Sequence, residues 1–116
     1  MTKILESSRP AVSVHDFSAS EIKTFLQQKL NRHKIKAAYI FGSFARKETS
    51  AWSDIDLLIV TNTTEPFLER ARSFEELYEL GIAIDILVYT PDEFNRLKDN
   101  NTGFWKSFQE CHQRIV

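Results

Sequence analysis

The chain has 116 residues, of which 42% are hydrophobic, with a formal net charge of −1 and a single cysteine. These values predict one compact domain that buries roughly two-thirds of its unfolded surface; they exclude an internal disulfide and give no support for binding duplex nucleic acid through its phosphates. Because no apolar run reaches the roughly 18 residues that span a bilayer and the opening lacks the apolar core of a secretory signal, we expect a soluble cytoplasmic protein.

The first third of the chain predicts an irregular segment, a helix and a strand. Residues 1–16 show no lasting period, so we assign them to an arm or a short strand and residues 17–116 to a single domain. Ser18 and Glu21 have the spacing of a capping box, and apolar residues then recur at helical spacing up to Leu30, which predicts a helix to about residue 32. After a polar turn, the apolar run Ala37–Phe41 predicts the first strand.

A glycine-serine turn and two carboxylates follow this strand. Gly42 and Ser43 allow a tight turn whose free amides and hydroxyl could approach a phosphate, and a short helix is predicted from Ser43. From Asp54 to Val60, alternation places Asp54 and Asp56 on one face of a strand and apolar residues on the other. Their Cα atoms would lie about 6.5 Å apart, so the carboxylates can converge on hard cations that prefer oxygen ligands.

A third aspartate lies on a later strand. Apolar residues from Phe67 to Tyr78 recur at spacings that suit a helix, and Gly81 suits its end. The run Ile82–Tyr89 then predicts a strand that is apolar on both faces except at Asp85, and such a pattern indicates a covered sheet.

The C-terminal quarter predicts two helices and a terminal strand. Thr90 and Glu93 have capping-box spacing around a proline at the first helical position, which predicts a helix over residues 91–98. A last amphipathic helix and a strand at residues 115–116 follow. Three aromatic residues of that helix are more typical of a core than of a base-stacking platform, although an exposed aromatic patch there would suit a protein partner: Phe104, Trp105 and Phe108.

The three aspartates together carry more weight than either motif alone. An ionised carboxylate among apolar neighbours is costly unless it is paired, hydrogen-bonded or metal-bound, and on neighbouring strands about 5 Å apart Asp54, Asp56 and Asp85 would converge. The alternative is that the first two mark an exposed strand start and that Asp85 pairs with a basic residue such as Arg46 or Lys36. Glycosyltransferases that use nucleotide sugars also carry an Asp-x-Asp motif, so the pair indicates metal without fixing the reaction.

The pattern Gly42-Ser43, ten further residues, Asp54-Ile-Asp56 and a later Asp85 resembles the signature of the polymerase-beta-like nucleotidyltransferase superfamily. The resemblance is strongest to its minimal nucleotidyltransferases and runs from about Ala37 to the C-terminus. It implies an α/β (α+β) fold, with a small mixed β-sheet and helices packed mainly on one side. The glycine that usually follows the arginine of this motif is Lys47 here, a departure that bears on the local turn geometry.

The resemblance also implies roles for these residues. Asp54 and Asp56 would hold two divalent ions, Mg²⁺ with Mn²⁺ as a substitute, that bridge the triphosphate of ATP or another NTP. Asp85 would complete one metal site and accept the proton of the attacking hydroxyl.

Phosphate binding is implied for the turn. Ser43 and the amides near Gly42 would hold the β- and γ-phosphates. Arg46, one turn into the short helix, could reach a phosphate or could be a solvated surface charge.

Minimal enzymes of this family are similar to the antitoxin halves of pairs with a HEPN-type partner, some of which add adenylyl groups to a tyrosine of that partner. The resemblance therefore implies Mg²⁺-dependent transfer of AMP from ATP to a hydroxyl, with the acceptor site supplied by a HEPN-type toxin or by a second subunit in a homo-oligomer. One alternative is a non-catalytic module that neutralises a HEPN-like partner by contact. Another is an aminoglycoside-type small-molecule nucleotidyltransferase, which is less favoured because no second domain to bind a drug is evident.

Overall fold

The computed structural model describes residues 17–47, 54–99 and 103–116, so the arm or short strand predicted for residues 1–16 lies outside the described residues. The elements run in this order: α1 (Ala19–Leu30), β1 (Ala37–Phe41), α2 (Gly42–Arg46), β2 (Ile55–Val60), a 3₁₀ segment (Phe67–Leu80), β3 (Ile84–Tyr89), α3 (Pro91–Asp99), α4 (Gly103–Glu110) and β4 (His112–Arg114). No helix in these ranges is long and apolar enough to cross a membrane.

Both predicted capping boxes are formed, which explains why two helices begin where the sequence indicates. The Ser18 hydroxyl accepts from the Glu21 amide at 3.0 Å, and the Ser18 amide donates to the Glu21 carboxylate at 2.8 Å. Thr90 and Glu93 repeat the arrangement at the start of α3, with distances of 3.2 and 2.8 Å. Each box satisfies two backbone amides that have no partner within the helix.

The helix predicted after Phe67 is instead a 3₁₀ segment with a kink at Phe74, whose φ and ψ are −119° and 25°. Its core-facing residues Phe74, Leu77 and Leu80 are three positions apart, and this spacing aligns side chains along a helix with three residues per turn. Gly81 ends the segment as predicted, with a φ of 84°.

The four strands form one mixed sheet in the order β3-β2-β1-β4. β1 is antiparallel to both β2 and β4, and β2 is parallel to β3. The terminal strand lies at His112–Arg114 rather than at the predicted residues 115–116. The pattern of apolar residues did not indicate it, because its residues are polar and lie at the edge of the sheet. The Ile115 amide nevertheless still donates to the Ala38 carbonyl at 2.8 Å.

The sheet is covered by helices on both faces, as the apolar pattern of β3 indicated, rather than mainly on the one side that the resemblance implied. α1 and the 3₁₀ segment pack on one face around Ile40 and Leu57, while the shorter α3 and α4 pack on the other face around Leu58. Trp105 and Phe108 are 7% and 2% exposed, so both belong to this second core. An exposed aromatic contact surface is therefore wrong for these two residues.

One ion pair joins the 3₁₀ segment to α3 at the edge of the sheet. The Arg70 guanidinium, whose side chain is 10% exposed, donates to both carboxylate oxygens of Glu93 at 2.6 and 3.3 Å. It also donates to the carbonyls of Glu65 and Val88 at 2.8 and 3.1 Å. The hydrogen bonds from Arg70, followed by the Thr90 amide, lower the pKa of Glu93 to about 2.

Candidate active site

Asp56 and Asp85 lie side by side on parallel strands. They are Cα partners in the register of β2 and β3, and neighbouring strands lie about 4.8 Å apart. Alternation along β2 places Asp56 on the same face as Leu58, the face that α3 and α4 cover further along the strand. Asp56 is half-buried and Asp85 is exposed, so this pair of carboxylates stands at the open end of that face.

Asp54 stands at the same end of the sheet. It comes directly before β2 and is exposed, and it precedes Asp56 by two residues. The structure thus places all three sequence-predicted aspartates at the end of the sheet where β1 finishes and where β2 and β3 begin.

Gly42 brings the backbone of the first turn against Asp56. Phe41 is the antiparallel partner of Asp56, and the chain turns at Gly42 with a φ of 74°. A Cβ atom at Gly42 would lie 2.1 Å from Oδ2 of Asp56 and 3.1 Å from its Cγ. Glycine is therefore required here twice, for its positive φ and for the space that the carboxylate occupies.

Gly42 begins the short helix α2, which ends at Arg46. Ser43 is half-buried, and Phe44 and Ala45 are buried and anchor the helix in the first core. Arg46 ends the helix, and its side chain lies outside the described part of the chain.

Lys47 adopts the left-handed conformation, with φ of 62° and ψ of 32°, and its amide donates to the Phe44 carbonyl at 3.1 Å. This is the position at which the resemblance leads one to expect glycine. Lys47 retains a backbone conformation that glycine adopts freely, at a cost of roughly 1–2 kcal/mol for a residue with a Cβ.

The alternative partner Lys36 is not available to Asp85. The Lys36 amide donates to the Val60 carbonyl at 2.8 Å, which places Lys36 at the opposite end of β2 from Asp56 and hence from Asp85. The ion pairs that the structure gives for its described residues join Lys29 with Glu79, His33 with Glu76, and Arg70 with Glu93; pairing of Asp85 with Lys36 is therefore wrong.

The donor set suits a hard cation that shares its coordination with a substrate. In the described ranges, no group of three or more His, Cys, Asp or Glu residues is close enough to hold a metal ion by itself, so the expected convergence of Asp54, Asp56 and Asp85 is not seen. Mg²⁺ in proteins is commonly bound through one or two carboxylates together with substrate phosphates rather than in an all-protein cage. Asp56 and Asp85 are adjacent in the sheet, and the backbone of the Gly42 turn lies against the Asp56 carboxylate. This arrangement fits binding of Mg²⁺ by two carboxylates together with substrate phosphates.

Sequence reasoning missed one neighbour of this site. Phe41 lies opposite Asp56 on the same face of the sheet, and its ring packs edge-on against Phe104 at 5.6 Å. The aromatic side of the site therefore comes from β1 and α4. A signal for it was present in the alternation of β1, which assigns Phe41 and Tyr39 to the same face.

A cavity of about 250 Å³ lies at the other end of the sheet, with Lys34, Thr61 and Arg70 in its lining. None of the aspartates borders it. Two of its charged lining residues are already paired, since Arg70 binds Glu93 and His33 binds Glu76. We place the candidate site at the aspartates, where carboxylates stand in register beside an open turn.

Residues 20–109 match the family described as "Polymerase beta, Nucleotidyltransferase". The chain belongs to this nucleotidyltransferase family. Two similar proteins of Methanocaldococcus jannaschii, MJ0435 and MJ0128, both carry the name "putative protein adenylyltransferase". They are 41% identical over 71 residues and 35% identical over 74 residues; each match covers 60% of this chain and 76% of the relative.

Two solved structures share the nucleotidyltransferase fold. One, described as a toxin-antitoxin with AMP-PNP, is 18% identical with a TM-score of 0.59, and the match covers 81% of this chain and 72% of that one. The other, from Sulfolobus solfataricus and described as a "putative nucleotidyltransferase", is 23% identical with a TM-score of 0.52 over 67% of this chain and 71% of that one. At these identities the likeness shows the fold.

Proposed function

We propose that this nucleotidyltransferase transfers AMP from ATP to a hydroxyl group of a protein. The observation that carries the proposal is the contact of the Gly42 backbone with Asp56, next to Asp85 on the neighbouring strand. This contact joins a turn suited to phosphate with two carboxylates suited to a divalent cation. The Methanocaldococcus jannaschii relatives support a protein acceptor through their names.

In this proposal the turn binds the triphosphate and the carboxylates bind the metal ions. Ser43 and the amides after Gly42 hold the β- and γ-phosphates, with Arg46 as a further phosphate ligand. Asp54, Asp56 and Asp85 would hold two Mg²⁺ ions through their carboxylate oxygens. When bound, Mg²⁺ neutralises charge on the phosphates during in-line transfer.

The exposed carboxylate of Asp85 is the proposed proton acceptor. A bond forms between the acceptor oxygen and the α-phosphorus while the bond from that phosphorus to pyrophosphate breaks, and the hydroxyl proton passes to Asp85. Its exposure leaves it open to an acceptor from solvent, whereas Asp56 is half-buried against the turn.

The partner is part of the same proposal. The structural relative described as a toxin-antitoxin with AMP-PNP supports both an ATP-type nucleotide and a protein partner. We assign a tyrosine of a HEPN-type toxin as the acceptor and an antitoxin role in the cytoplasm, which supplies ATP and Mg²⁺. The predicted single domain over residues 17–116 would be the nucleotidyltransferase subunit of such a toxin-antitoxin pair.

Metal and nucleotide together should stabilise the protein, since a ligand that binds only the folded state raises the free energy of unfolding by about 2.7 kcal/mol at one hundred times its Kd. We expect Mg²⁺ with ATP to raise the Tm, and we expect Asp54→Asn combined with Asp56→Asn to abolish that rise. Differential scanning fluorimetry and calorimetric titration check this. Equal affinity for Mg²⁺ and ATP in the double variant would remove the carboxylates from the site.

Asp85→Asn should slow transfer by about 10²-fold, because loss of a general base costs roughly that much, while ATP still binds. The assay follows the α-phosphate label of ATP into the protein partner in a single turnover. Asp92→Asn, an exposed aspartate on α3, is the matched control and should transfer at the unaltered rate. Full activity of Asp85→Asn would exclude it as the base.

A further inference from the structure

β3 is an edge strand of the sheet, and its outward backbone groups can be assigned. The Ile55 amide donates to the Ala83 carbonyl at 3.0 Å, and the Thr61 amide donates to the Tyr89 carbonyl at 2.9 Å. The backbone N–H and C=O groups of successive residues in a strand point alternately to its two sides. The backbone groups of the odd-numbered residues from 83 to 89 therefore point towards β2. The groups of Ile84, Ile86 and Val88 therefore point away from the sheet.

One end of this edge is already blocked. Arg70 donates to the outward carbonyl of Val88 at 3.1 Å and is held there by Glu93. Among the described residues, no backbone hydrogen bond from a loop or turn reaches the outward N–H and C=O groups of Ile84 and Ile86. Within the described part of the chain, the half of the edge that Arg70 leaves open is therefore the half that flanks Asp85.

That half continues the row of carboxylates. Asp56 and Asp85 are register partners on one face, and a further strand would add a third position about 5 Å from Asp85 on the same face. Resting on the proposed function, we propose that the protein acceptor binds as an extended strand along the outer edge of β3 between Ile84 and Ile86, with its tyrosine opposite Asp85. Main-chain hydrogen bonds supply the affinity in this mode of recognition.

Charge argues against a second copy of this chain as the occupant. A symmetric antiparallel pairing that uses only Ile84 and Ile86 has its two-fold axis at Asp85. It would set the two Asp85 residues opposite each other, with Cα atoms about 4.5 Å apart, and like charges directly opposite are destabilising. A neutral tyrosine in that place carries no such repulsion.

The transfer then proceeds with the tyrosine oxygen as the nucleophile. It forms the bond to the α-phosphorus as the bond to pyrophosphate breaks, and its proton passes to Asp85. Strand addition contributes only the position of that oxygen.

A synthetic acceptor tests the geometry on the wild-type protein. The probe is the peptide acetyl-Lys-Val-Val-Tyr-Val-Val-Lys-amide, whose single hydroxyl is on tyrosine, labelled from α-labelled ATP with Mg²⁺. N-acetyl-tyrosinamide, which is too short to form a strand, is the control acceptor. We expect the peptide to be labelled at least about tenfold more efficiently, since it alone gains backbone hydrogen bonds.

N-methylation of the peptide backbone, one residue at a time, gives the decisive pattern. Strand addition predicts that labelling falls at least about tenfold at every second residue and is little changed at the others, because only alternate amides face β3. The phase of the alternation gives the strand direction. A loss without alternation, or equal labelling of the peptide and N-acetyl-tyrosinamide, would overturn the edge proposal while the transferase stands. Absence of label from both acceptors would overturn the edge proposal, whereas the transferase is judged separately by labelling of the protein partner.

A protein variant gives an independent measure. Ile86→Pro removes an outward N–H from an edge strand, where proline is tolerated, and Ile86→Ala shortens the side chain but keeps that N–H. We expect Ile86→Pro to lower the ratio of peptide to N-acetyl-tyrosinamide labelling by at least about tenfold and Ile86→Ala to keep it within about twofold. Equal ratios in the two variants would overturn the proposal. If Ile86→Pro does not fold, the N-methylation pattern decides.

Discussion

Replacing Gly42 with alanine should lower kcat/KM for nucleotidyl transfer by about 10³-fold in a protein that still folds. The new Cβ would lie 2.1 Å from Oδ2 of Asp56, so the carboxylate must shift by more than about 1 Å to make room. A misplacement of that size costs roughly 10²-fold, and the altered turn should weaken phosphate hydrogen bonds by about a further factor of ten. Single-turnover transfer of α-phosphate label measures the loss.

Gly81→Ala is the matched control for backbone strain. Gly81 also has a positive φ, 84°, but it ends the 3₁₀ segment, whereas Gly42 forms the turn beside Asp56. Both variants should lose about 1 kcal/mol or more of stability, because alanine is strained at positive φ. Only Gly42→Ala should lose transfer and the Mg²⁺-ATP rise in Tm. Activity of Gly42→Ala within tenfold of wild type would show that the contact with Asp56 has no catalytic importance.

The elements and the placement of the aspartates could be predicted because they depend on local pattern. Ser18 with Glu21, and Thr90 with Glu93, signal helix starts through spacing alone, and alternation along β2 and β3 assigns Asp56 and Asp85 to faces. The 3₁₀ form of residues 67–80 was not predicted. Spacings of three and four residues both occur there, so the apolar pattern alone does not distinguish a 3₁₀ helix from an α-helix.

Other features depend on tertiary contacts that no local pattern carries. The Gly42 turn was predicted, but the close approach of its backbone to the Asp56 carboxylate follows from the register of β1 with β2. Arg70 reads in sequence as one more charge on an amphipathic helix, yet it is buried. Its partner Glu93 was assigned only to a capping box, and the structure gives that carboxylate both roles.

Arg70→Met should lower the free energy of unfolding by about 3 kcal/mol. Removing one partner of a buried ion pair leaves the other uncompensated, and here the carbonyls of Glu65 and Val88 also lose their donor. Lys29→Met is the matched control: the partner of Lys29, Glu79, is 59% exposed, so we expect a loss below about 1 kcal/mol. Urea unfolding measures both variants. Equal losses would show that the Arg70 network has no special role in stability.

The pH dependence of the same network has a definite sign. The folded pKa of Glu93 is lowered from its ordinary 4.5 to about 2 by the Arg70 hydrogen bonds, so its contribution to stability is complete above the unfolded pKa. It is lost as pH falls from about 5 towards 2, where the folded state must also take up the proton. Wild type should therefore lose more stability over this range than Glu93→Gln, which has no carboxylate to protonate, and the difference isolates Glu93 from the other acids. Parallel pH profiles of the two proteins would mean that the Glu93 carboxylate does not form an ion pair with Arg70 in the folded chain.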